Sequence, residues 1–499
     1  MKKIILIIIG LLAVGFGGYF GYDKSDGSSG NENILTKEEL KCPDCNLVII
    51  SLTNTRKDNV GIYGYERDTT PNIDNFFQNS LIFKNAFAPA SWTLPVAISF
   101  YTSLFPYTHG VMDRYDGSRL SDESPLTLTE ILKKNGYKTA GFTGGGDYNR
   151  KFNFNRGFDI YVDEQNYSDF GVDYAGGSQG QFGAAYLGIE QLVPLASGWL
   201  KENKENKKFL LLQGFDTHCP FTPRDPFDKK FTVENKSNID YSTCLWTFEQ
   251  TEPIYENGVR YWMVKTAFTK EGIKEVKLTD DDVKYMMALY DGEIAQADDL
   301  LKDFFKTVKD LGIEKNTIFI FMSEHGDLFG EHGRFMRGGP LRGTFYDPVL
   351  NFPLLIKHPK IKYTIKIDSL VQTVDMMPTI LDIFGLEDIQ GNIRQGKSIL
   401  PAIIDGVEVN KHVYAGSKYT QQKDNPFFKG TSKIESIRNK EWKLIKEEIF
   451  DQNTNKKIKE SYELYNIAVD KKEENNLIGK EKGIALTMKS KLQSWVDSF

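Results

Sequence analysis

No run of basic residues stands out anywhere in this sequence, and its net charge is a modest −6 over 499 residues. A nucleic-acid partner needs a basic face or stripe, so that class of ligand is not expected. A neutral or small anionic substrate stays open, because a local pocket can be positive on an acidic protein. Cysteine is scarce: there are four. Cys42 and Cys45 form a C-x-x-C, and Cys219 and Cys244 lie far away. The second spacing is wide and irregular for zinc, and the C-x-x-C does not open a helix after a strand as a redox motif would. Disulfides are the favoured reading, with three pairings open. No internal repeat is evident.

Long apolar runs are also missing, with one exception at the start. Lys2 and Lys3 precede "IILIIIGLLAVGFGGYFGY". Positive charge followed by an apolar run is an export signal. The run approaches the roughly 20 residues that span a bilayer. There is no convincing small-x-small cleavage site and no cysteine for a lipid anchor near its end. An uncleaved signal anchor is therefore favoured over a cleaved peptide, and the protein is expected to be exported, either anchored by this segment or secreted. "DKSDGSSGNEN" reads as a flexible linker.

What is present is a large folded body. Apolar residues make up 40% and aromatics 13%, the proportions of a globular chain. "NLVIISL", "KKFLLLQGF", "NTIFIFMS" and "FPLLIKH" are continuous apolar, β-branched runs, the pattern of strands buried on both faces. Between them lie the helical patterns "TTPNIDNFFQNS", "TLTEILKKNGY" and "YMMALYDGEIAQADDLLKDFFKTVKDLG", the last ending at Gly312 as a C-cap. Alternating strands and helices predict an α/β fold: a doubly wound, largely parallel sheet with helices on both faces. Beyond about residue 405, "SIRNKEWKLIKEEIFD" and "KKIKESYELYNIA" suggest a smaller C-terminal α+β subdomain. The expected organisation is a signal and linker over 1–45, a catalytic domain over 46–405 and the subdomain over 406–499. Residues from Phe221 to about Lys277 fit no clean pattern and are read as an insertion over the site.

In such sheets the ligand lies outside the carboxyl ends of the strands. Those ends read Ser51-Leu52-Thr53-Asn54, Asp216-Thr217-His218 and Glu324-His325-Gly326-Asp327. Two of the three carry a carboxylate and a histidine within a few residues.

The segment from Asn46 to Val111, containing "SLTNTRKDNVGIYGYERDTTPNI" and "SWTLPVAISFYTSLFPYTHGV", resembles the opening of a sulfatase, within the alkaline phosphatase superfamily. "LYDGEIAQADDLL", "SEHGDLFGEHG", "GTFYDPVLNFPLLI", "VQTVDMMPTILDIFG" and "ESYELYNIAVDKKEENNL" are similar to its later landmarks, in the family's order. The resemblance implies one divalent metal ion, calcium, magnesium, manganese or zinc, beneath a covalent nucleophile. It places the nucleophile at Thr93 and the N-terminal metal carboxylate at Thr53, with Asn54 beside it. The later metal pair falls on Glu324 and His325, the substrate-binding histidine on His218, and a lysine on Arg342. Arg56 and Asp58 match the family's R-x-D and are expected to pair beneath the site. His109 is read as structural, and His332 as either a support of the site or plain structure.

The departures from the pattern carry chemistry. The family's nucleophile is a Cys or Ser converted to formylglycine. Thr93 has a secondary alcohol, which oxidation could take only to a ketone, so no formylglycine is expected. A threonine can attack directly as an alkoxide if a cation and a helix N-terminus depress its pKa. Thr93 as a helix N-cap is an equal alternative. Thr53 removes a negative charge from the metal site, and His325 would favour zinc or manganese over calcium. Ala97 stands where the family has arginine; the planar fork of Arg342 is the candidate replacement. "GGGDYN" follows "GYKTAGF" in place of the family's Lys and His. The leading expectation is an exported hydrolase of sulfate or phosphate esters of small molecules or glycans. A catalytically silent binding relative and a Thr-dependent head-group transferase are the other readings. Oligomeric state is not legible in the sequence.

Overall fold

Every residue of Asn46–Leu52 is buried, as a run apolar on both faces demands, and this segment is the central strand β1. The computed structural model describes residues 35–112, 118–171, 186–231, 244–245, 252–269, 272–337, 343–387, 393–420, 431–451 and 453–499. The other strands are β2 (Leu81–Phe87), β3 (Lys138–Thr143), β4 (Ile160–Val162), β5 (Lys208–Gly214), β6 (Pro253–Glu256), β7 (Val259–Thr269), β8 (Gly272–Thr279), β9 (Thr317–Met322), β10 (Leu354–Lys357), β11 (Ile365–Gln372), β12 (Val413–Thr420), β13 (Thr431–Arg438), β14 (Trp442–Phe450) and β15 (Lys457–Asn466).

The main sheet has eight strands in the order β11-β2-β10-β9-β1-β5-β3-β4. β1 pairs in parallel with β5 on one side and β9 on the other, with Ser51 opposite both Gln213 and Met322. Three carboxyl ends therefore finish side by side. β10, from "FPLLIKH", runs antiparallel to both its neighbours; the apolar run that marked it as buried carries no information on direction. Separate apolar clusters cover the two faces. One contains Leu47 and Ile49 of β1, the other Val48 and Ile50, so alternate side chains of one strand feed opposite layers.

The long helix is Asp280–Asp310, started by Thr279, whose hydroxyl accepts from the Asp282 backbone N–H, and followed by Gly312 at φ 66°. β12 to β15 form a four-stranded antiparallel sheet. The helix Lys482–Val496 seals it by setting Ala485, Met488 and Leu492 on Ile437, Leu444 and Leu464. The stretch without a legible pattern contains the antiparallel sheet β6-β7-β8. Trp262, Val264 and Leu278 of that sheet pack with Cys219, Phe329, Phe335 and Met336. The cysteines are joined as Cys42–Cys45 and Cys219–Cys244. Among the described residues no helix is long and apolar enough to cross a membrane. The Lys-led segment and the linker after it lie outside the described residues.

Candidate active site

The adjacent ends of β1, β5 and β9 build the site. Thr53 continues β1, its N–H donating to the Gly214 carbonyl at 3.2 Å. Its hydroxyl accepts from Gln213 Nε2 at 2.7 Å. Asn54 turns the chain at φ 64°, a left-handed conformation that asparagine tolerates better than most residues. The long helix holds that turn from below. The Tyr290 hydroxyl donates to the Asn54 carbonyl at 2.8 Å and accepts from the Arg56 N–H at 2.7 Å. Arg56 pairs with Asp58 and Glu331 and reaches the Asp327 carbonyl at 3.2 Å, so it ties the first strand end to the third. At Gly326 a Cβ would run into the Pro348 carbonyl; the bare backbone lets the β9 end pack there.

Thr93 is the first residue of the helix Thr93–Thr102, all ten of whose residues are buried. The residue in the N-cap position is Trp92, which gives no side-chain cap. The capping alternative for Thr93 is thereby replaced by a different contact: its Oγ1 lies 3.1 Å from His325 Nε2. His325 Nδ1 faces the Gly326 carbonyl at 3.0 Å. A carbonyl can only accept, so Nδ1 carries the proton and Nε2 presents its lone pair to the threonine. Burial, with Arg337 and His218 nearby, drives the His325 pKa far down, so the ring is neutral.

His218 repeats the arrangement. Its Nδ1 faces the Cys219 carbonyl at 2.7 Å, and its Nε2 accepts from Arg337 Nη2 at 3.0 Å. The ring stacks on Phe215, centroids 4.4 Å apart. Arg337, 1% exposed, also reaches Asp327 Oδ1 at 3.4 Å. Its Nε–H is buried with no hydrogen-bond partner among the described residues. Asp327 accepts from Asn54 Nδ2 at 2.8 Å on its other oxygen. Burial pushes the Asp327 carboxyl up to about 6, against the pull of Arg337.

Glu324 is fully buried on the neighbouring side. Its Oε1 accepts from Ser51 at 2.8 Å and from Tyr148 at 2.7 Å. Burial raises its pKa, opposed by the hydroxyls of Tyr148, Ser51 and Thr53. Two acceptors remain: Glu324 Oε2 and Asn54 Oδ1 are buried with no hydrogen-bond partner among the described residues. Orphaned acceptors cost free energy unless a donor or cation meets them. Both are oxygens and one belongs to a carboxylate, which fits a hard divalent cation. Of the other expected ligands, Thr53 Oγ1 meets Gln213 Nε2 at 2.7 Å and His325 Nε2 meets Thr93 Oγ1 at 3.1 Å.

The structure thus brings Thr93 to His325, and Asn54 through Asp327 to Arg337 and His218. Arg342 lies outside the described residues. Arg56 and Asp58 pair at 2.6 Å. His332 stacks on Tyr346 at 3.5 Å, and His109 faces Ser99 Oγ at 3.1 Å; neither touches the Thr93 network. Sequence reasoning missed Arg337, Gln213, Tyr148 and Tyr290 as parts of the site. Gln213 carried a usable signal, a polar residue inside an apolar strand. Tyr148 lies in the 3-10 turn Gly146–Tyr148 inside "GGGDYN", where the resemblance already marked a departure at the site, whereas Arg337 sits in an irregular loop with no signal.

Comparison with known proteins bears on this arrangement. Residues 45–386 match the sulfatase family model, and residues 330–497 match the model of the C-terminal part of N-sulphoglucosamine sulphohydrolase. Arylsulfatase K of Xenopus laevis is 24% identical over 363 residues, 69% of this chain and 63% of that protein. The match thus spans less than two thirds of that relative's length. An arylsulfatase of Clostridium perfringens is 25% identical over 375 residues, 68% of this chain and 74% of that protein. The solved phosphonate monoester hydrolase of Agrobacterium radiobacter superposes with a TM-score of 0.66 at 18% identity, covering 91% of this chain and 96% of that one. A structure holding D-glucosamine-2-N,6-O-disulfate as its substrate superposes with a TM-score of 0.63 at 17% identity, covering 91% and 97%. With the family model matched over most of its length and its landmarks set around the ends of β1, β5 and β9, this chain belongs to the sulfatase family.

Proposed function

We propose that the chain is an ester hydrolase in which Thr93 attacks the sulfur or phosphorus of a sulfate or phosphate ester. The observation that carries this reading is the Thr93 Oγ1–His325 Nε2 contact of 3.1 Å at a helix N-terminus. The Thr93 oxygen forms a bond to the central atom as the bond from that atom to the ester C–O oxygen breaks in line, and the threonine proton passes to His325 Nε2 and from there to the departing oxygen, which leaves as the alcohol. Water then attacks the sulfo- or phospho-threonine, releasing the anion and restoring the hydroxyl. The free Nε–H of Arg337, and the Arg337–His218 pair around it, would receive the oxyanion. The helix N-terminus adds partial positive charge beside the nucleophile.

Asn54 and Glu324 would hold a divalent cation through their orphaned oxygens; such an ion supplies Lewis-acid stabilisation of developing negative charge. The oxygen pair favours a hard cation of the calcium or magnesium kind over zinc. The acceptor alcohol class, small molecule or glycan, is suggested by the arylsulfatase relatives and the disulfated glucosamine held by a structural neighbour. The Lys-led apolar N-terminus supports export with a single anchor.

The test is turnover of 4-nitrophenyl sulfate and 4-nitrophenyl phosphate by the wild type and by Thr93→Ala. Loss in the variant of a rate seen in the wild type supports the reading. Equal rates in both remove Thr93 as nucleophile, and no rate in either favours a silent binding relative.

A further inference from the structure

A second cleft, of about 690 Å³, opens where the β2–β11 edge of the main sheet meets the loops after β13 and β15. No residue of the Thr93 network lines it. The Arg56–Asp58 pair stands between, with Arg56 facing Asp327 and Asp58 on the cleft wall. Its lining carries six cations: Lys57, Lys84, Lys366, Arg438, Lys440 and Lys471. Three carboxylates oppose them, Asp58, Asp347 and Asp368, and all three are already engaged. Asp58 is held by Arg56 at 2.6 Å, and Asp347 by Lys443 at 2.8 Å and by Arg438 of the lining at 3.5 Å. Asp368 is held by Lys440 at 3.1 Å and lies 3.8 Å from Lys84, and Lys440 also meets Glu408 at 2.7 Å.

Among the described residues, no carboxylate comes within ion-pairing distance of Lys366 or Lys471, and both are exposed. Arg438 forms a fixed wall. Its guanidinium lies 3.9 Å from the Phe87 ring, its side chain is 10% exposed, its Nη2 meets Asp347 at 3.5 Å, and its Nε and Nη1 have no hydrogen-bond partner among the described residues. Lys57 is half-buried; burial is the main cause that brings its pKa down to about 8, opposed by Asp347 and Asp58 and aided less strongly by Arg438 and Lys471. Six cations against three carboxylates leave the cleft short of negative charge, and its acids, engaged elsewhere, do not reach Lys366 or Lys471.

We propose that this cleft binds a polysulfated glycan chain. The cations are spread over three strands (β2, β11 and the end of β13), the turn after β1 and the loops after β13 and β15 rather than gathered at one point, which suits several anionic groups on one ligand better than a single ion. The volume is that of a ligand pocket and not of an ion site. Lysines are strongly hydrated point charges, so recognition reads charge spacing more than sugar identity. The surplus would also draw such chains to this face before any ester reaches Thr93.

The experiment uses the full chain, with dextran sulfate oligomers and uncharged dextran of equal length as probes in titration calorimetry. Dextran sulfate should bind and dextran should not, with affinity falling at least tenfold from 50 to 200 mM NaCl. The triple variant Lys84→Glu/Lys366→Glu/Lys471→Glu should lose at least tenfold in affinity at the same melting temperature. Lys471→Glu alone should lose a smaller part, which keeps the test usable if the triple variant misfolds. Thr93→Ala should bind as the wild type does. That control separates this inference from the proposed chemistry, since binding can persist in a protein without turnover. Unchanged affinity in the lysine variants overturns the proposal. So does loss of binding in Thr93→Ala, which would put the chain at the active site, or full competition by millimolar inorganic sulfate, which would reduce the cleft to a single-anion site.

Discussion

Thr93 and His325 come from opposite layers of the chain's order, 232 residues apart, and meet at 3.1 Å with the imidazole proton held on the far nitrogen. That contact orients the hydroxyl so its hydrogen points at a lone pair and its own lone pairs point elsewhere. Thr93→Ser keeps an oxygen at the same place and should retain turnover within about tenfold. Thr93→Ala should lower it by a factor on the order of 10³ or more. Measured rates on an aryl sulfate or aryl phosphate decide this, and a serine variant as dead as the alanine one would mean that the hydroxyl's role is packing.

Arg337 makes the sharpest stability prediction. It is a buried cation whose nearest charge is the buried Asp327. Arg337→Met leaves that carboxylate uncompensated and should cost about 3–5 kcal/mol. The double variant Arg337→Met/Asp327→Asn should recover most of the loss, because a pair removed together leaves no stranded charge. Urea denaturation of the wild type and the two variants checks it; a double variant no better than the single would show that the pair is not the source of the cost.

The sequence declared strands by apolar run and helices by period, and those physical signals survive folding. "NLVIISL" is β1 and the amphipathic stretch through "LKDFFKTVKD" is the long helix because burial on both faces, or on one stripe, is the only stable place for such patterns. Gln213 and the Glu324–Asp327 stretch could be searched for because ligands collect at strand ends. Arg337 could not, since an arginine in "FMRGG" looks like any solvated loop cation until the fold buries it against Asp327. β6 to β8 escaped for a related reason: Tyr255 and Val259 stay exposed, so no clean alternation marks the strands.

Tyr290 tests how firmly the long helix sets the first strand end. Its hydroxyl bridges the Asn54 carbonyl and the Arg56 N–H. Tyr290→Phe leaves both backbone groups buried and unpaired, and should cost about 1–3 kcal/mol. A shift in the thermal midpoint reads it. Because Asn54 is held in a left-handed turn, the same variant should also weaken whatever the Asn54 side chain binds.

Metal content follows from the two orphaned oxygens. The purified chain, dialysed against calcium, magnesium, manganese and zinc in turn, should retain close to one equivalent of a divalent ion by elemental analysis. Glu324→Gln removes the only charged donor of the pair and should lower retention well below the wild type. Less than about a tenth of an equivalent in the wild type under all four ions would show that Asn54 Oδ1 and Glu324 Oε2 are not a cation site.

His358 gives a pH dependence of known sign. It is 2% exposed, its Nε2–H donates to the Leu40 carbonyl at 3.0 Å, and its Nδ1 accepts from the Lys360 N–H at 3.2 Å. Burial depresses its pKa from 6.5 to about 4. The unfolded chain therefore takes up this proton at a higher pH than the folded chain does. Its contribution to stability is complete above about pH 6.5 and is lost as pH falls toward 4, by at most on the order of 3 kcal/mol. Gln can make both hydrogen bonds without titrating, so His358→Gln should flatten that part of the stability profile. Denaturation midpoints for wild type and variant between pH 4 and 8 should converge at the acid end if the wild type starts ahead; parallel curves would show that His358 keeps its ordinary pKa in the fold.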